Sequence, residues 1–388
     1  MIVPGNRAVK ITAALTSGAL LVSALLAAPA GSAYSQSGEL HGQASGWLTS
    51  VPEHSAVSQV GLRYIPDFLG SMHAWTDFDL NAEVSLNGLA DANIDRSRPP
   101  EYDRMLQLYR GWVRLSTENF EARLGLQKLS FGPAMLFRPL MWFDRIDPRD
   151  PLQLTDGVNA MLLRYYFRNN ANIWVWGLYG NSGTKGWEQE PTEHGTAEYG
   201  GRIQTPLWTG ELGATYHHRR VDQAPLAPSL VAPEDRYALD GKWDVGIGVW
   251  FEAALIHQQT VIPAMTYQRL WTIGGDYTVS IGNGLYIATE YFTLDNPARP
   301  LGGAAGLHFS GLSMSYPVGI LDQVSAMIYR DWGGGAWYRI LTVQRKYDDW
   351  IFYVLGFWNP DTIRLYGNSA GSNAFAGKGF QLMVVFNH

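Results

Sequence analysis

The chain has 388 residues, 35 acidic against 29 basic, no Cys, 13% aromatic and only 16% charged residues. Without Cys there can be no disulfide framework, thiolate zinc site, thiol catalysis or lipidated N-terminal cysteine, and a net charge of −6 gives nucleic acid no electrostatic reason to bind. A soluble chain of this length usually divides into domains, yet no composition break, linker, low-complexity tract or charge run divides this one.

The N-terminus carries Arg7 and Lys10, then the apolar run ITAALTSGALLVSALLAAPA, then Gly31-Ser32-Ala33. Basic, apolar and small-residue regions in that order describe a secretory signal cleaved near Ala33. Residues 1–33 are therefore expected to be removed and 34–388 to form the mature protein. No later stretch reaches the ~18 consecutive apolar residues that a membrane helix needs.

Past the signal, the apolar period is two almost everywhere. From Asp77 to Asn87 one face is wholly polar and the other wholly apolar, over a length that crosses a bilayer when tilted. Such segments begin near Gly38, Ala56, Asp77, Met105, Phe120, Val158, Ala171, Ala197 and Glu211. They continue near Arg236, Ile247, Arg269, Leu285, Gly306, Gln323, Trp337, Trp350 and Gly379. The pattern predicts about eighteen strands, with sixteen also possible; alternation is blurred near Gly38, Val158 and Trp337.

The connections alternate in length. DFLGSMH, STEN, RNN, TPLWTG, DVG, SIGNG, YPVG and KYDD are short. GLADANIDRSRPP, the 131–157 stretch, NSGTKGWEQEPTEHGT, VDQAPLAPSLVAPE, DNPARPLGGAA and NPDTIRLYGNSAGSNAFA are long; VPEHS and WGGGA are short exceptions. Long loops on one side and tight turns on the other mark a transmembrane antiparallel up-and-down β-barrel of the bacterial outer membrane, all-β, with loops outside and turns in the periplasm. Trp208, Trp243, Trp337 and Trp350 fall at strand ends, the level of the lipid headgroups. The final segment places Phe380, Leu382, Val384 and Phe386 on one face, similar to the C-terminal signal read by barrel assembly machinery.

Counted from a periplasmic N-terminus, 131–157 is the third extracellular loop. Its first half, 131–143, is too apolar for external water and is expected to fold inward against the barrel wall. Its second half carries Asp144, Arg145, Asp147, Arg149, Asp150 and Asp156, stiffened by Pro139, Pro148 and Pro151, and should constrict the pore facing the arginines of the fourth and fifth strands. Strand parity turns Arg63, Arg110, Arg114, Arg123 and Arg202 inward on one side. It turns Asp240, Lys242, Asp244, Glu252, Asp276 and Glu290 inward on the other. Opposed basic and acidic walls would set a transverse field across a narrow lumen.

The spaced residues Gly125-x-Gln127, Phe131-Gly132, Trp142 and Asp156-Gly157-Val158 resemble the strand–loop–strand signature of alginate-export-like outer-membrane barrels. The resemblance implies an eighteen-stranded monomeric barrel with an Arg-rich constriction; the second Arg-rich run usual near that family's C-terminus is missing from GFQLMVVFNH.

No H-E-x-x-H, G-x-S-x-G or phosphate-binding glycine loop is present. His217 and His218 are adjacent on a strand and point to opposite faces, so they cannot chelate one metal together. The expectation is a non-enzymatic porin with no cofactor and no metal, passing small hydrophilic solutes, charged or sugar-like. Its other partners would be outer-membrane lipid and lipopolysaccharide. A monomer is the expected state, with a trimer also open. Two other readings stand beside it: an exporter of an anionic polysaccharide, and a scaffold barrel enclosing a partner protein.

Overall fold

The computed structural model describes residues 36–52, 57–74, 77–95, 99–181, 183–223, 230–260, 266–361 and 375–388. The expected signal peptide, 1–33, lies outside the described residues. Alternating sequence becomes strand throughout: β1 (Gln36–Val51), β2 (Val57–Ala74), β3 (Phe78–Ile94), β4 (Glu101–Ser116), β5 (Phe120–Gln127) and β6 (Val158–Tyr166). There follow β7 (Asn172–Leu178), β8 (Glu198–Leu207), β9 (Gly210–Asp222), β10 (Val231–Asp244), β11 (Gly248–Gln258) and β12 (Tyr267–Val279). The last are β13 (Leu285–Asp295), β14 (Gly306–Pro317), β15 (Asp322–Asp331), β16 (Trp337–Tyr347), β17 (Trp350–Trp358) and β18 (Lys378–Asn387). Each strand pairs antiparallel with its sequence neighbours, and β1 pairs with both β2 and β18, so the eighteen-stranded sheet closes on itself.

Closure leaves no sheet edge, the condition for strands to sit in hydrocarbon, where unpaired backbone groups find no water. At the seam the ladder runs to the last residue: Gly42 donates to the His388 carbonyl at 2.9 Å and receives the His388 N–H at 3.0 Å. The His388 ring stacks against Tyr64 and Phe386, so the two residues after Phe386 continue the last strand. Side chains obey the two-residue period. Leu62, Leu124, Met161, Ile203, Leu239 and Ile273 are exposed apolar groups on the outer face, while Arg202, Thr215, Asp240 and Glu252 are buried on the inner one. Trp208, 89% exposed, caps a turn, and Trp337, Trp350 and Trp358 stand exposed at strand ends.

Four boundaries differ from the expectation. DFLGSMH lies inside β2, which runs to Ala74, and β3 begins at Phe78. Gly and Asp suggested a turn, but the segment is held between β1 and β3. Pro66, which has no N–H to give, opposes Gly42 on β1 and falls where the β2–β3 ladder skips. The first residues of GLADANIDRSRPP extend β3, β4 starts at Glu101 instead of Met105, and β10 starts at Val231 instead of Arg236. The asymmetry therefore rests on the separations of β5 from β6, β7 from β8, β13 from β14 and β17 from β18.

A bulge decides what β4 presents. Ser85 opposes Arg110 and Leu86 opposes Leu108, so Tyr109 is an extra residue. Strict alternation would place Arg110 on the face of Leu106 and Leu108, toward lipid. The extra residue switches the parity, keeping the leucines outside and turning Arg110, Trp112 and Arg114 inward.

Gly61 opposes Trp47, whose indole occupies the space where a Cβ would stand. Gly61→Val is expected to destabilise the barrel by about 1–3 kcal/mol through overpacking. The temperature at which the folded band disappears in unheated-versus-heated detergent gels should fall; an unchanged temperature would show that the seam side tolerates the added volume.

Candidate functional site

The connection from β5 to β6, residues 128–157, turns into the lumen. Leu129, Phe131, Leu136, Phe137, Leu140, Met141, Trp142 and Phe143 are all buried. They meet inward-facing apolar positions of the wall, among them Leu162, Trp176, Ile256, Leu270, Phe292, Phe309 and Tyr329. Phe137 is fully buried, stacked on Phe292 at 5.4 Å and edge-on to Tyr329 at 5.4 Å. On this side the barrel contains a hydrophobic core, made half of wall and half of loop. Burial of that surface drives the docking.

Docking an irregular segment buries its amide groups, and two wall carboxylates satisfy them. Glu290 accepts from the N–H of Met135 (2.6 Å), Leu136 (3.0 Å) and Phe137 (2.6 Å), and from the Trp250 indole (3.0 Å). Glu252 accepts from Ala134 (2.8 Å) and Leu140 (2.9 Å). Thr272 donates to the Phe137 carbonyl at 2.8 Å. Gly132, at φ +91°, abuts Glu252 with no room for a side chain. These carboxylates are inward-facing as expected, but they do not form an acidic wall opposite the arginines; the loop covers them.

Most charges of the second half are satisfied within the loop. Asp144 pairs with Arg138 at 2.8 Å, and Asp147 holds Arg149 in a fork at 2.6–3.1 Å. Arg145 reaches Thr184 and its N–H reaches Thr155. The Asp150 side chain caps Leu152. The return limb meets β4: Arg110 donates to the Thr155 carbonyl at 2.8 Å, and Gln107 donates to Asp156 at 3.0 Å. Asp150 lies in the field of Arg63 on β2. Gly125, Gln127, Phe131, Gly132, Trp142 and Gly157 act at the root and turn of this loop. Gln127, for example, is fully buried and donates to the Ala160 carbonyl.

A second loop, 179–197, also folds in, which sequence reading missed. Trp187 stacks on Phe292 at 5.5 Å and donates to the Arg138 carbonyl at 2.7 Å, while Gly186 touches the Met141 carbonyl. Glu188 takes part in a buried network on β8–β10: Arg236 bonds Glu188 at 2.8 Å and Arg219 bonds Glu234 at 2.5 Å. Lys185 bonds Glu198 at 2.9 Å. His217 accepts the Trp176 N–H on Nδ1 at 3.2 Å, so its Nε2 carries the hydrogen toward Glu198 at 3.1 Å. The available signal was a Trp in an otherwise polar loop, NSGTKGWEQEPTEHGT.

Arg202, expected beside the other arginines, pairs with Asp240 two strands away at 2.5–2.7 Å. Lys242 lies over the Trp250 ring, Asp244 caps Gly246, and Asp276 accepts from Tyr286. Arg63, Arg110 and Arg114 make no ion pair among the described residues, and Arg123 pairs with Glu121 at 3.0 Å. His218 points away from His217 and bonds Asp235. Among the described residues no group of three metal-ligating side chains comes together.

No family model matches the chain, and no curated protein matches it by sequence; the alginate-export-like resemblance therefore draws no support from either. Solved structures match by shape. Salmonella typhi OmpF, in a complex with daunomycin, aligns over 90% of this chain and 97% of its own at TM-score 0.50 and 12% identity. The anion-selective porin from Comamonas acidovorans aligns over 91% and 100% at TM-score 0.49 and 11% identity. Vibrio cholerae OmpT in its trimer form aligns over 91% and 100% at 0.47 and 11%. The likeness is one of fold: a closed antiparallel barrel of the porin kind.

Replacing Glu290 by Ala would leave three loop amides and an indole N–H buried without an acceptor, at about 1–3 kcal/mol each. Glu290→Ala should free loop 128–157 and raise single-channel conductance several-fold while the barrel stays folded in detergent gels. Phe137→Ala should act in the same direction, losing about 3–5 kcal/mol of docking. Wild-type conductance in both variants would mean the loop does not limit the aperture.

Proposed function

We propose that the chain is a passive diffusion channel of the bacterial outer membrane for small hydrophilic solutes, charged or sugar-like. An apolar outer face, a closed sheet and eighteen strands suit that membrane, and an even strand number sets both ends of the barrel on the turn side, the periplasm in this reading. One observation carries the selectivity. Glu188, Glu198, Glu234, Asp240, Glu252 and Glu290 are engaged by loop amides or basic partners, whereas Arg63, Arg110 and Arg114 have no ion pair among the described residues. The permeating solute therefore meets guanidinium groups on β2 and β4 across from the return limb of loop 128–157. Loops 128–157 and 179–197 fill the space an enclosed partner protein would need, which favours a channel over a scaffold.

Purified protein in planar bilayers under a potassium chloride gradient should give stable steps and a reversal potential on the chloride side. Absence of conductance would overturn the channel reading; a potential on the potassium side would overturn the assignment of the arginines as the controlling charges. Deleting 144–156 should raise conductance several-fold.

Burial pushes the Asp150 carboxyl above the usual range, with the Arg63 charge opposing the shift. Ionised Asp150 thus disfavours the docked loop. The stability gained by keeping it neutral is fully present below an ordinary Asp pKa of about 3.9 and is lost as pH rises through the raised value. Over the same window, acidification removes the negative charge facing Arg63, so chloride preference should grow as pH falls. Asp150→Asn should flatten this pH dependence; an unchanged profile would assign the titration to another group.

A further inference from the structure

We propose that Arg114, Arg123 and Arg164 form a separate subsite at the turn-side mouth of the lumen that binds small dianions through carboxylate or phosphate oxygens. The inference rests on the channel reading and adds a solute class and a second station along the path.

Arg114 on β4 stands directly opposite Arg123 on β5, both pointing inward. On the other side of β5, Leu162 opposes Arg123 and Arg164 opposes Glu121, which makes Arg164 the diagonal neighbour of Arg123. Like charges placed opposite one another weaken a sheet, and Arg123 sits in the field of both other arginines. One carboxylate serves the three. Glu121 lies 3.0 Å from Arg123 and 3.7 Å from Arg164, and Arg114 has no ion pair among the described residues. Glu83 is the next acidic group in their field, and it is engaged with Trp112. Three guanidinium groups against Glu121 and the more distant Glu83 leave a positive surplus that an oxyanion would neutralise.

The groups are held in place. Arg164 lies over the Trp174 ring at 3.8 Å and Arg123 over the Trp112 ring at 4.6 Å. Stacking occupies a guanidinium face and leaves its N–H edges free to fork onto oxyanions. The Nε atoms of Arg114, Arg123 and Arg164 are all buried with no hydrogen-bond partner. Such donors are the kind a bound anion satisfies. The strands end just beyond, at Ser116 and Tyr166. Phe131, at the root of loop 128–157, reaches Trp174 at 6.5 Å, so the cluster lies on the turn side of the docked loop and apart from the contact of Arg110 with Thr155.

The test uses the full barrel in detergent, titrated calorimetrically with inorganic phosphate at pH 8 or with succinate at low ionic strength. The same anions are then added to the turn side in planar bilayers carrying chloride current. Saturable binding and saturable block are expected from at least one of them. Phosphate alone would identify a tetrahedral oxyanion, succinate alone a dicarboxylate, and either supports the subsite. Arg164→Gln should weaken binding about tenfold or more, and Glu121→Gln, which removes the one serving carboxylate, should tighten it. The opposite signs separate a binding role from simple misfolding. Calorimetry without saturable heat for either anion, or equal affinities in the wild type and both variants, would overturn the proposal. Intact chloride conductance in that case would leave the channel reading standing, whereas saturable heat without any conductance would sink the channel reading alone.

Discussion

Two carboxylates inside a closed barrel, Glu252 and Glu290, accept five backbone N–H groups from residues 134–140, and the remaining interior follows from that arrangement. An irregular segment cannot leave water unless its amides find acceptors. A neutral wall could offer single lone pairs at scattered places; two carboxylates offer several each, close together. Once the amides are satisfied, Phe137, Leu140 and Trp142 can bury against β6–β15, and the loop becomes part of the wall.

The interior is therefore two-sided in composition as well as charge. Along β6–β15 it is packed like the centre of a soluble protein, and its buried ions come in linked pairs such as Arg219–Glu234 and Lys185–Glu198. Buried pairs of this kind are costly to desolvate and add little net stability. They fix the position of loop 179–197 relative to the strands beneath it. Along β1–β5 the docked loop covers less of the wall, and Arg63, Arg110 and Arg114 make no ion pair among the described residues. The outer face is indifferent to this division, since exposed apolar residues alternate along strands on both sides of the barrel.

Much of this was legible from residue order. Period-two alternation located all eighteen strands, because a half-wet strand records its two environments in every second residue. The apolar half of 131–157 announced its burial, since Phe, Leu, Met and Trp have no place in an external loop. Parity also named Glu252, Glu290 and Asp240 as inward. It could not say what would lie over them, because a face is a property of one strand and an occupant comes from elsewhere in the chain. Arg202 was separated from the other arginines by Asp240, a partner two strands away. The bulge at Tyr109 leaves no mark in the alternation, yet Arg110 and Arg114 stand on the inner face where parity turned them. Loop 179–197 was misread because one Trp and one Gly in a charged stretch give little sign of a docking site.

The contacts of Leu136 and Phe137 with Glu290 join positions 154 and 153 residues apart, and those with β13–β15 require strands from opposite halves of the chain to be in register already. Bringing such distant segments together is slow compared with closing hairpins. Loop docking is thus an event of the last stage of assembly, possible only when β11 and β13 present Glu252 and Glu290 at the right height. A barrel stalled before that stage holds two carboxylates without their amide donors and a loop of exposed aromatic residues. The occupied lumen consequently serves as the molecule's own record that its ring has closed correctly.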